Sequence, residues 1–158
     1  MKRNENLKTL SWEHHDGLVV SFRLQQGIKK NSRSDEMSHY ILHTWNTILK
    51  HHFWQEEQII KPNLNQSAKG KELVNQMQND HNKIDQLVKQ IQSDNKSNKF
   101  IEEFASLLNQ HIRFEERQLF PFIEQEINTK ELQEVGNFLK QHHNPSCEVW
   151  PNQFWKNQ

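Results

Sequence analysis

The strongest constraint on this chain is an apolar rhythm of about 3.6 residues that fills four long stretches and admits polar side chains in each. The first stretch runs from Thr9 or Ser11, either a possible N-cap, to a stop at Gly27. The second covers Asp35 to Ile60 and must end near Pro62. The third covers Ala68 to Gln92, and the fourth Lys99 to Glu126, with a kink or early end expected at Pro121. Short polar links (KKNSRS, PNLNQS and SDNKSN) separate them. Thr129 can cap a shorter fifth helix ending near Gln141, followed by an irregular tail with Pro and bulky aromatics. Long helices with short links favour an all-α, antiparallel up-down-up-down four-helix bundle, with the fifth helix and tail packed on it.

At 158 residues the chain is expected to form a single domain, its core at about 9–126 and accessory elements at 127–158. Four Gly and four Pro are too few for a turn-rich β fold. Twenty basic and twenty acidic side chains cancel, so no net field draws nucleic acid or an anionic membrane. No apolar run nears the roughly 18 residues of a membrane span. The N-terminal residues lack the apolar segment of a secretory leader, and one cysteine, Cys147, excludes an internal disulfide. The expected location is the cytoplasm. No phosphate-binding or nucleophile-elbow motif occurs.

The outlier is histidine, at ten residues. On the second helix the stripe Met37, Ile41, Trp45, Ile48, Ile59 passes through His52 and Glu56. On the third it includes His81, between Met77 and Ile84. On the fourth it runs Ile101, Phe104, Leu108, His111, Glu115, Leu119, Phe122. On the first, His15 aligns with Leu18 and Phe22. Each long helix thus sends one His inward, and two add a Glu one turn later.

Buried carboxylates without a cationic partner are costly, and these stripes hold no Lys or Arg. Metal cations resolve this, since imidazole nitrogen and carboxylate oxygen suit iron, manganese or zinc. A His and Glu at i, i+4 share a face with about 6 Å of axial rise. Facing pairs, His52–Glu56 and His111–Glu115, can bridge two metals, with His15 and His81 completing one metal each. The remaining positions suit dioxygen, peroxide or nitric oxide. The halves also repeat: Pro62 and Pro121 each lie ten residues after their His, and His15-Asp-Gly-Leu18 parallels His81-Asn-Lys-Ile84.

The strings WEHHDGL, HHFWQEEQIIKP, NDHNKI and HIRFEERQLFPFIE carry a resemblance to the hemerythrin-like, HHE cation-binding family, over about residues 11–126. The resemblance implies a four-helix bundle around a non-haem di-iron centre, bridged by two carboxylates and an oxygen. It carries over as ligands His15, His52, Glu56, His81, His111 and Glu115. Oxygen-carrying hemerythrins place two His one turn apart on the third helix, whereas His81 here has Met77 before it and Asp85 after it. The ligand set resembles that of sensing and stress-related members, with Asp85 or water filling the vacant position. The implied cofactor is two iron ions, with manganese or zinc as substitutes. The implied partner is dioxygen or another small diatomic ligand, bound for sensing or storage. The alternative is an enzyme that reduces nitric oxide or peroxide, or donates iron for cluster repair; a structural zinc or manganese site is the third reading.

His15 is preferred over His14 because its DGL context matches the repeat, and His52 over His51 because only His52 has Glu at +4. Glu116 should point about 100° away from Glu115, to an outer or solvated position. His39 and His43 read as a solvated face, and His142 and His143 as helix-end residues favoured by the dipole. Trp12, Trp45 and Trp54 read as packing, and Trp150, Phe154 and Trp155 as a cover for one bundle edge. Cys147 reads as buried or incidental.

Overall fold

The computed structural model describes residues 2–94, 97–143 and 149–156. Among them every regular element is helical. A 3-10 turn at Glu5–Leu7 leads into α1 (Lys8–Lys29). α2 (Ser34–Thr44) passes through a π turn at Trp45–Leu49 directly into α3 (Lys50–Ile60). α4 (Ala68–Ser93) stands alone, and α5 (Asn98–Phe114) passes through a second π turn at Glu115–Leu119 into α6 (Phe120–Glu126). α7 (Thr129–His142) is the short fifth helix expected from the sequence. Cys147 lies outside the described residues.

The helix ends follow side-chain chemistry. Neither Thr9 nor Ser11 caps α1; Asn4 caps the preceding 3-10 turn, its side chain accepting from the Asn6 N–H at 2.9 Å. Ser67 accepts from the Gly70 N–H at the start of α4, and Asn128, not Thr129, accepts from Glu131 at the start of α7. α1 continues past Gly27 and turns at Asn31, whose φ of 56° lies in the left-handed region that Asn tolerates. Gly27 serves closeness instead. A Cβ there would stand 2.7 Å from the Phe154 ring and 2.8 Å from the Met37 sulfur.

Pro121 does not end its helix. Proline has no N–H to give to the residue four before it, and the π turn absorbs the mismatch, the Phe120 N–H reaching back five residues to the Glu115 carbonyl. The extra residue rotates the next helical turn, so Phe120 and Ile123 enter the core while Phe122 is only half-buried. The turn at Trp45–Leu49 acts likewise: Leu49 is buried and Ile48 partly exposed.

The interior divides into two apolar clusters. One holds Val20, Leu49, Phe53, Ile84 and Leu108; the other holds Leu10, Ile59, Met77, Phe114 and Leu119. On all four long helices a buried polar group falls between the two, and the chain meets the clusters in alternating order from one helix to the next.

The stripe expected on α1 is corrected. Phe22 is 58% exposed and His15 is exposed, while Leu10, His14, Gly17, Ser21 and Leu24 face inward. The reason is close approach between α1 and α5. A Cβ on Gly17 would stand 2.7 Å from the Ile112 side-chain methyl, and Ser21 donates to the Ala105 carbonyl at 2.7 Å. Between Leu10 and Leu24 the small residues Gly17 and Ser21 mark this close approach. Trp12, expected to pack, is 64% exposed. Trp54 is half-exposed against His51, Phe138 and His142. Trp150, Phe154 and Trp155 cover Tyr40, as expected for the tail.

Candidate metal centre

His14, His52, Glu56, His81, His111 and Glu115 are all buried, each 4% exposed or less. Their ligand atoms form two groups of four, each with all atoms within 4.8 Å of one another. One is His14, His52, Glu56 and Glu115; the other is Glu56, His81, His111 and Glu115. The two glutamates belong to both. Five of the six sequence-expected residues are therefore brought together. The exception is His15, which faces solvent beside Leu18, Phe22 and Arg113; His14 occupies the inward position. The expectation for Asp85 is also corrected: it is partly exposed and pairs with Lys89 at 2.9 Å.

Six of the candidate donor atoms are left over by the protein's own hydrogen bonding, while His14 Nε2 lies 3.1 Å from Glu115 Oε1. The Nε2 atoms of His52, His81 and His111, both carboxylate oxygens of Glu56 and Oε2 of Glu115 are buried without a hydrogen-bond partner. Among the described residues, Glu56 and Glu115 form ion pairs only with histidines. Orphaned nitrogens and carboxylate oxygens converging in a dry interior suit a divalent metal's donor preference. The residues present fit such a group.

Around this set runs a second ring of acids, one for each imidazole. His14 Nδ1 lies 2.9 Å from Glu116, and His52 Nδ1 2.8 Å from Glu13. His81 Nδ1 lies 3.3 Å from Glu57, and His111 Nδ1 3.0 Å from Asp80. A carboxylate on Nδ1 sets the tautomer and turns Nε2 inward as the donor. The pairing is cyclic. α1 gives Glu13 to the His of α3; α3 gives Glu57 to the His of α4; α4 gives Asp80 to the His of α5; and the turn after α5 gives Glu116 to the His of α1. Ring faces hold two imidazoles flat: Phe120 stacks on His14 at 5.0 Å and Phe53 on His81 at 4.1 Å.

These contacts set the charge of the metal-free site. Burial alone disfavours imidazolium, but the Glu56 carboxylate and the Glu13 bond outweigh it and push His52 up to about 9. For His111, burial is outweighed by Glu115 and Asp80, giving about 10. His14 and His81 shift upward too, against burial, through Glu115 and Glu116 for the first and Glu56 and Glu57 for the second. Burial would raise Glu116, but its bond to His14 and the nearby Arg3 charge prevail and bring it down to about 2.

The outer ring shows what sequence reasoning missed. Its signal was present as an acid adjacent to four of the six inward residues: Glu13-His14 and Asp80-His81, then Glu56-Glu57 and Glu115-Glu116. Aligned on that signal, the repeat pairs His14 with His81 and selects the buried neighbour. His143 was also missed; its Nδ1 lies 3.0 Å from Glu13.

No curated protein and no solved structure matches this chain. The family model for the hemerythrin HHE cation-binding domain matches residues 8–123, a span that contains all six buried donors and their four outer acids. With most of its length and its whole polar interior inside that match, the chain belongs to the hemerythrin HHE cation-binding family.

Proposed function

We propose that the chain is a cytoplasmic antiparallel up-down-up-down bundle that binds two iron ions and, on them, dioxygen or a related small ligand, for sensing or storage. The observation that carries the dimetal reading is the sharing of Glu56 and Glu115 by two four-donor groups. His14 and His52 would hold one metal, and His81 and His111 the other, with both carboxylates available to each. When bound, such a metal pair supplies redox chemistry and open positions for an exogenous ligand. The protein's own part is to aim the imidazole Nε2 atoms and both carboxylates inward, to keep Glu56 ionised and to exclude water. Burial would raise the Glu56 carboxyl, but His52, His14 and His81 hold it well below the usual range.

The test is metal analysis with optical spectroscopy after aerobic iron loading. The expected result is two iron per chain and near-ultraviolet charge-transfer absorption. Glu56→Ala and Glu115→Ala should each lower the content to one metal or none; two metals retained in both variants would overturn the bridging assignment. An adduct that releases oxygen on evacuation supports binding, whereas turnover of nitric oxide or peroxide with a reductant supports the enzymatic alternative.

A further inference from the structure

The two halves of the centre have the same donors but different support. In the half built on His14 and His52, the outer acids are themselves fastened. Glu116 accepts from Arg3 at 2.8 Å through its side chain and at 2.8 Å through its carbonyl, and Arg3 is held in turn by Glu124 at 2.6 Å. Glu13 accepts from Gln55 Nε2 at 3.1 and 3.3 Å and meets His143 at 3.0 Å. Gln55 is fully buried and Glu13 is 8% exposed. Arg3 and His143 come from outside the four long helices, one before α1 and one at the end of α7.

The half built on His81 and His111 lacks such fastening. Glu57 has Lys61 at 3.2 Å, one turn along the same helix and 42% exposed. Asp80, among the described residues, bonds only to His111. An outer acid free to move lets its imidazole turn and release, and loss of such partners typically costs 10–100-fold in metal affinity.

We propose that the two metal positions exchange at different rates: the His14–His52 position retains its ion, with Arg3 and His143 as positioning residues, and the His81–His111 position is the exchangeable one. This rests on the dimetal reading above. The terminal segments therefore act as a clamp on one position, and entry and loss of metal, or its donation, run through the other.

The experiment loads the full chain with two ferrous ions per chain under anaerobic conditions and adds excess chromogenic ferrous chelator. The expected release has two phases of one ion each. Arg3→Met and His143→Gln should each speed the slow phase about tenfold or more and leave the fast phase unchanged. Lys61→Met should speed only the fast phase, and Arg3→Lys should restore part of the slow phase. A general loss of folding would move both phases together, and far-ultraviolet circular dichroism reads it directly. A single release phase from doubly loaded protein overturns this inference alone, as does a slow phase indifferent to both clamp variants. Uptake of fewer than two ions per chain overturns the dimetal reading and this inference together.

Discussion

His14 and His15 are neighbours of identical chemistry, and a rotation of about 100° separates a buried member of the candidate metal set from a surface side chain. The structure accordingly predicts that His14→Ala lowers bound metal by one equivalent or more per chain, while His15→Ala leaves it unchanged, as read by elemental analysis. Five of the six buried groups were legible from apolar stripes because large residues flank them in register: Ile48 and Ile59 around His52 and Glu56, Met77 and Ile84 around His81, Leu108 and Leu119 around His111 and Glu115. His14 was not, since its inward companions are Gly17 and Ser21, which a hydrophobic pattern does not register. The outer acids were legible only as neighbours of donors, and their targets were not, because each bonds to a different helix.

Among the elements, α1 depends on closeness. Gly27→Ala sets a methyl against the Phe154 ring and the Met37 sulfur and is expected to destabilise the fold by about 1–3 kcal/mol, measured by urea denaturation. Gly17→Ala meets the free end of Ile112 and should cost less. The four long helices and the fifth were readable from periodicity, and so were their links. The two π turns were not: a strict 3.6 rhythm placed Ile48 and Phe122 inward, whereas one additional residue per turn brings Leu49, Phe120 and Ile123 there. Pro121 was read as a kink or early end because a regular α-helix has no place for its missing N–H, which the π turn accommodates.

For the whole molecule, the buried ionisable groups make metal-free stability depend on pH. His52 and His111 are raised from an ordinary 6.5 to about 9 and about 10. The stability they contribute is full below pH 6.5 and is lost as pH rises through 9 to 10. Glu116 is lowered from 4.5 to about 2, so its contribution is full above pH 4.5 and is lost as pH falls toward 2. The metal-free protein should be most stable between about pH 4.5 and 6.5, and its urea midpoint should fall between pH 6.5 and 10. Because the imidazoles carry protons that a metal must displace, uptake at pH 7 should release protons; calorimetry in two buffers of different ionisation enthalpy reads the number.

The cyclic hand-off of acids has a bearing on how the protein matures. No helix completes its own imidazole, so a partly assembled chain leaves each histidine without the acid that orients it. The inward-facing set is therefore complete only when all four contributing segments have come together.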